Sequence, residues 1–160
     1  MNPAAAFSSV PKYGDDVGAP DLHEVVAARL RAAGQRYTSV RRALVDRLEG
    51  AGQPLTIPEL LDGGSLAQSS AYRNLALLED AGVVHRIVTT ADHARYELAE
   101  DLTEHHHHLI CTACGQVEDF PASASLERSL HDAVAEVEGG TGFTASHHRL
   151  DLIGTCRSCA

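Results

Sequence analysis

All four cysteines of this 160-residue chain lie in two C-x-x-C pairs, Cys111-Thr112-Ala113-Cys114 and Cys156-Arg157-Ser158-Cys159. Two intervening residues let a tight turn present both sulfurs to one ion, and two such pairs complete a tetrahedral four-thiolate zinc site. Two disulfides, or a redox dithiol, would use the same residues. The opening segment MNPAAAFSSVPKYGDD has no basic stretch followed by an apolar one, so no signal peptide and a cytoplasmic location are expected. Thiols stay reduced there, and neither pair sits in a thioredoxin-like βαβ context. Structural Zn2+ on Cys111, Cys114, Cys156 and Cys159 is the expected reading. It would pin the chain end to the middle of the second half and staple a small core.

Seven of the ten histidines lie at positions 105–108, 131, 147 and 148. The run of four suggests an expression tag or a solvated tract, yet it is internal and leads directly into Leu109-Ile110-Cys111. If His105–Ile110 forms a strand, successive side chains alternate between faces. His106 and His108 then share one face, and His105 and His107 the other. One strand would supply two imidazoles to each of two separate metal sites, with acidic and imidazole partners available elsewhere in the chain.

The elements that must position these groups follow from periodicity and caps. Residues 1–20 read as a loose leader. Asp21 can cap a helix with Leu22, Val25, Val26 and Leu30 on one face and Gly34 as its stop. Thr38 starts a second helix with Val40, Leu44 and Leu48 four apart, and Thr56 with Glu59 forms a capping box for a short third. After the polar DGGSLAQ loop, a fourth helix is expected to start at a Ser cap and stop at Gly82, with Leu75 and Leu78 buried. Val83–Val88 and Arg95–Leu98 read as two strands joined by a turn beginning Thr89-Thr90-Ala91-Asp92. Helices followed by a two-stranded ribbon make a winged helix-turn-helix, although a generic small α+β domain shares that order. In the second half, HHHHLIC and GQVEDF read as strands and SLERSLHDAVAEVEGG as a helix with Leu126, Leu130, Val134 and Val137 inward. Phe143–Ser146 and Arg149–Ile153 read as two more strands, the latter with Leu150 and Leu152 alternating over one wet face. The expected organisation is α+β: a leader (1–20), a winged helix (21–99), a linker (100–104) and a metal-binding domain (105–160).

Composition bounds the function. Apolar residues make up 44% and charged residues 22%, a globular balance, and no apolar run approaches a membrane span. The formal charge of −9 argues against indiscriminate binding to nucleic acid. It is unevenly spread: residues 1–88 hold 9 basic and 10 acidic side chains, and residues 89–160 hold 4 and 12. The first half is therefore near neutral and free to present locally basic helices.

Several segments together resemble the ferric uptake regulator family. They are Gly34-x-Arg36-x-Thr38-x-x-Arg41, Ser70-Ala71-Tyr72-Arg73-Asn74-Leu75, Ala81-Gly82-Val83-Val84, the run HHHHLICTACG and the closing GTCRSC. The match runs in order over about residues 22–159. The resemblance implies a homodimeric, metal-dependent repressor of metal-ion homeostasis genes, with an N-terminal winged helix and a C-terminal α/β dimerisation domain. It implies structural zinc on the four cysteines and a regulatory site of Glu97, His106 and His108. His85 stands where zinc-type members place a ligand and replaces the loop ligand of iron-type members, a position held here by Pro54. His105, His107, Glu127 and His148 match an additional site, and Asp119 is a weaker candidate near either. Zinc-type members often carry a cysteine near Ala99, which this chain lacks. Zn2+ is slightly favoured for the regulatory site, Fe2+ comes next, and Mn2+ or Ni2+ also suit its donors. Peroxide sensing is less expected, because the matched carboxylate is Glu97 rather than aspartate and the loop histidine is missing.

A helix beginning near Ser69 can enter the major groove with Arg73 toward guanine and Tyr72 toward a thymine methyl. Gln68, Ser69 and Ser70 are available for phosphate or base contacts, and Arg36, Arg41 and Arg42 for the backbone. A two-fold dimer would read a palindromic operator. A zinc hydrolase is the enzymatic alternative, but no H-E-x-x-H motif or Gly-rich phosphate loop is present, so no enzyme is expected. A metal buffer or chaperone that binds no DNA is the other alternative, and no membrane partner is expected.

Overall fold

The structure, a computed structural model, describes residues 21–89 and 94–160. The expected leader and most of the turn after Thr89 lie outside the described residues. Helix α1 (Leu22–Ala32) is capped by Asp21, whose carboxylate accepts from the His23 amide at 2.8 Å. Helix α2 (Ser39–Ala51) is capped by Thr38. The two-residue strand β1 (Leu55–Thr56) runs into α3 (Ile57–Leu61), where Thr56 and Glu59 form the expected capping box. Helix α4 (Gln68–Asp80) departs from expectation at its start. It begins at Gln68 behind Ala67, with no side-chain cap, so Ser69 lies inside the first turn. At its other end Gly82 adopts φ +68°, a left-handed turn open to glycine, and redirects the chain into β2 (Val84–Val88).

Strands β2 and β3 (Ala94–Leu98) pair antiparallel, with β1 on the outer side of β3. β1 escapes sequence reading because two residues carry no period. The ladder sets His85 directly across from Glu97. Along β3, Tyr96 and Leu98 turn into the core with α1–α4, while Arg95 and Glu97 take the opposite face, toward the second half. Val26, Leu30, Leu44, Val45, Leu48, Leu75, Leu78 and Val83 are buried in that core, whereas Val25 and Val40, also expected on the packed faces, are only half-buried. The result is a winged helix-turn-helix.

A single turn at Glu100–Leu102 leads to the second sheet, ordered β5-β4-β6. Its central strand β4 (His107–Cys111) pairs antiparallel with β5 (Val117–Phe120) and parallel with β6 (Asp151–Gly154). β4 begins at His107, two residues later than expected. Helix α5 (Ala124–Thr141) is capped by Ser123. Its expected inward row is not buried in the single chain: Leu126, Leu130 and Val134 are half-buried, and Val137 is 55% exposed. Phe143–Ser146 is not a strand, since it has no ladder partner within the chain, and Phe143 is 66% exposed. The wet-face reading of Arg149–Ile153 also fails. The strand is Asp151–Gly154, and both Leu152 and Ile153 are exposed at the sheet's edge. Among the described residues, no helix is long and apolar enough to cross a membrane.

Candidate metal centres

Three groups of potential ligands are assembled in and around the second sheet, each with its donor atoms within 4.8 Å of one another. The first comprises the four cysteines, all free thiols. Cys111 ends β4, Cys114 lies in the turn toward β5, and Cys156 and Cys159 follow β6, whose parallel pairing with β4 brings the chain end alongside. The Cys114 and Cys156 sulfurs are 3.8 Å apart. A disulfide needs about 2.05 Å, whereas a tetrahedron with metal–sulfur bonds of about 2.3 Å has edges of about 3.8 Å. The donor set therefore fits zinc. Backbone amides, first among them that of Cys156 at 3.3 Å, lower the Cys111 thiol to about 6. Cys159 is pushed up to about 12 by its neighbours Cys156 and Cys114. Four crowded sulfurs cannot all ionise alone, and a bound cation removes that conflict.

The second group joins Glu97 of β3 to His106, His108 and Asp119 of the second sheet. Glu97 Oε2 lies 3.3 Å from His106 Nε2 and 3.0 Å from His108 Nε2. His106 donates through Nδ1 to the Glu104 carbonyl at 2.7 Å, which leaves Nε2 turned inward. His108 Nδ1 meets Asp151 Oδ1 at 3.1 Å, and its Nε2 is 3.8 Å from Asp119 Oδ1. Burial works to raise the Glu97 carboxyl, but hydrogen bonds from His106, His108 and His85 outweigh it and hold it far below the usual carboxylate range. The Glu97 hydrogen bond raises His106 to about 9 against the effect of burial. His108 is also raised, burial being overcome by Glu97 and Asp151, and burial raises Asp119. These protons occupy positions that a divalent cation would take.

His85 stands beside this group and outside its tight cluster. Its Nδ1 meets Glu97 Oε1 at 3.2 Å, and its Nε2 accepts from Arg149 at 2.7 Å. In this arrangement His85 orients Glu97, while Asp119 supplies the fourth donor position. Asp151 and Arg149 were not read from the sequence, since neither belongs to a motif. The only signal was their place in the stretch Arg149–Ile153 expected to be a strand.

The third group is His105, His107, Glu127 and His148. Glu127, from the first turn of α5, faces His107 Nε2 at 2.8 Å, His148 Nε2 at 3.3 Å and His105 Nε2 at 3.6 Å. His107 comes first among the groups that lower its carboxyl. His105 also pairs with Glu100, another partner that sequence reading missed. The buried nitrogen His107 Nδ1 has no hydrogen-bond partner among the described residues, and His148 Nε2, also buried, has only the Glu127 contact at 3.3 Å. Such atoms are costly unless a cation or water satisfies them. The alternation along the histidine run therefore sorts His106 and His108 from His105 and His107 as expected.

A further group, His23, Asp46 and Glu49, links α1 to α2 and was not anticipated. Both nitrogens of His23 are already engaged, with Tyr37 at 2.7 Å and Asp46 at 3.1 Å.

Most of the DNA-contact candidates are accessible. Gln68, Ser69, Tyr72 and Arg73 are exposed on α4, Ser70 is half-buried, and Arg36 and Arg42 are exposed. Tyr72, at 53% exposure, is not a core aromatic. Arg41 is the exception. It is only 8% exposed, and its guanidinium is engaged inside the domain by Asn74 and Gln35, so it is not free to reach phosphate.

Comparison with known proteins agrees with this architecture. Residues 32–153 match the model of the Ferric uptake regulator family. The chain is 29% identical over 146 residues to the peroxide-responsive repressor PerR of Staphylococcus aureus, covering 87% of this chain and 91% of that protein. It superposes on the crystal structure of the Vibrio cholerae ferric uptake regulator with a TM-score of 0.63 at 27% identity, covering 81% of this chain and 98% of that one. A zinc-bound manganese uptake regulator gives a TM-score of 0.59 at 31% identity, with 84% and 98% covered.

Proposed function

Because this chain belongs to the ferric uptake regulator family, whose members are metal-responsive transcription regulators and not enzymes, we propose that it is a cytoplasmic, homodimeric repressor. In this reading, a divalent ion held by Glu97, His106 and His108, with His85 or Asp119 as the further donor, switches DNA binding. The observation that carries it is the position of Glu97. It lies on the wing strand, yet its Oε2 meets two imidazoles of the second sheet at 3.3 and 3.0 Å. A ligand set drawn from both halves makes metal affinity depend on the angle between them, and by linkage metal occupancy biases that angle. The ion would supply positive charge between the Glu97 carboxylate and the His106 and His108 imidazoles. Zinc is favoured for this site because imidazole and carboxylate suit it and His85 adjoins it, with iron the alternative.

The four cysteines would hold structural zinc, and His105, His107, Glu127 and His148 an additional ion. Residues 21–99 would form the DNA-binding domain and 105–160 the dimerisation domain, joined by the linker at 100–104. The exposed apolar side chains Val137, Phe143, Leu152 and Ile153 support a partner copy on that half. Two copies of α4 would then read a palindrome through Gln68, Ser69, Ser70, Tyr72 and Arg73, with Arg36 and Arg42 on the backbone.

Metal-titrated band shifts on a selected palindrome, with elemental analysis of wild type and Glu97→Gln, test the switch. Wild type is expected to bind at the lowest buffered free Zn2+ that fills the site. Glu97→Gln is expected to lose metal dependence while keeping its cysteine-bound zinc. Tight operator binding after complete removal of the regulatory ion would defeat the switch. A response to anaerobic Fe2+ with none to Zn2+ would replace zinc with iron.

A further inference from the structure

One buried cation of the first half has no carboxylate partner among the described residues. Arg41, 8% exposed on α2, donates from Nε to Asn74 Oδ1 at 3.1 Å and from Nη2 to Gln35 Oε1 at 3.2 Å. Its Nη1 donates to the Arg36 carbonyl. All three acceptors are neutral. Burying a guanidinium costs free energy unless its donors are satisfied, and a planar fork can satisfy several acceptors at fixed angles. The acceptors lie on two pieces of backbone: the segment entering α2, and α4.

The contact with α4 continues along that helix. Asn74 accepts from Arg41 through Oδ1 and turns its amide nitrogen back to the Ser70 carbonyl at 2.8 Å and the Ser70 hydroxyl at 3.4 Å. Ser70 belongs to the first turn of α4, which has no side-chain cap of its own. Exposed Tyr72 and Arg73 project from the same stretch. A rigid chain of hydrogen bonds thus runs from the Gln35-Arg36 segment through Arg41 and Asn74 to the start of α4.

We propose that Arg41 is a positioning residue for DNA recognition, its buried guanidinium setting the seat of α4 through Asn74 and Ser70 without itself touching phosphate. This rests on the reading of α4 as the DNA-contacting helix. Groove readout requires side chains held to fractions of an ångström, so a brace at the helix start governs sequence discrimination more than overall attraction to DNA. Arg42, one residue on, has the opposite profile: exposed and suited to a backbone contact.

The test uses the full-length, metal-loaded protein with two duplexes: a palindrome that wild type selects from a random pool, and a scrambled duplex of equal length. Arg41→Lys and Asn74→Ala are each expected to weaken palindrome binding at least about tenfold, with the scrambled duplex changed less than about twofold. Neither is expected to alter the slope of log affinity against log salt. Arg42→Ala is expected to weaken both duplexes and to lower the slope by about one. Lysine keeps the charge but not the fork, so restoration of palindrome discrimination by Arg41→Lys would overturn positioning in favour of a phosphate contact. Hydrogen exchange without DNA provides the second arm. Amides of residues 69–73 are expected to exchange faster in Asn74→Ala, and unchanged exchange would overturn the brace. If wild type selects no palindrome, the DNA reading itself fails and the inference falls with it, while the exchange arm still shows whether the brace exists.

Discussion

The two halves of this chain hold themselves together by different physics. Among the described residues, the first half buries a continuous apolar cluster of fifteen side chains drawn from α1–α4 and β1–β3. The other apolar cluster has three members, Ile87, Ile110 and Val117, and Ile87 belongs to the first half. At the heart of the second sheet lie His107, His108 and Cys111, groups suited to ligation. Apolar burial supplies roughly 25 cal/mol per Å2, so the first half has a large hydrophobic term and the second a small one. On the proposed reading, the second half would draw on bound ions and on a partner copy over its exposed α5 and β6. On the proposed reading a sensor gains from that division, because most of the ligands stand on the half whose order would respond to them, with Glu97 contributed by the other.

Loss of the thiolate site should break this contrast most. Structural zinc in small sites contributes about 10–16 kcal/mol of apparent binding free energy. Cys156→Ser, or exhaustive chelation, is expected to abolish exchange protection across β4–β6 and leave α1–α4 protected. Equal protection of both halves would show that the second needs no ion. A smaller effect is expected in the first half. Leu75→Ala, at a side chain with no exposure, should cost about 2–5 kcal/mol by cavity formation, to the same extent with and without regulatory metal, as read by denaturant midpoint. A metal-dependent cost would mean that the halves do not fold independently.

The smallest effect concerns the capping box. Thr56→Ala should destabilise the first half by about 1 kcal/mol. Burial works against ionisation of Glu59, yet its bonds to the Thr56 backbone and hydroxyl, aided by Arg95, hold the carboxyl below its ordinary 4.5. The box's contribution is therefore fully present above that ordinary value and lost as pH falls through the depressed folded one. Glu59→Gln is expected to flatten this acid limb of first-half stability, and an unaltered limb would assign acid sensitivity elsewhere.

How legible these features were depended on range. Caps at Asp21, Thr38 and Thr56 are local, so sequence located them; α4 begins without a side-chain cap, and the expected Ser69 start was off by one residue. The failures at Phe143–Ser146 and along α5 share one cause. The α5 row was read as inward and Phe143–Ser146 as a strand, but among the described residues of a single chain the first is not fully covered and the second has no ladder partner. Arg41 was read, with Arg36 and Arg42, as a contact to the DNA backbone. In the fold it is buried and engaged by Gln35, the Arg36 carbonyl and Asn74, the last 33 positions along the chain.

Sequence by itself determined which atoms could bind metal and how they divide. Two-residue cysteine spacing and the two-fold period of a strand are properties of local backbone geometry. Tertiary structure alone decided further company those atoms keep: Asp151 on His108, Arg149 on His85 and Glu100 on His105, and it placed Asp119 with His106 and His108 rather than with the other site. Of these, the Arg149 contact depends on how two separately formed sheets dock. That docking is fixed by packing and charge between residues far apart in the chain, which no local pattern records.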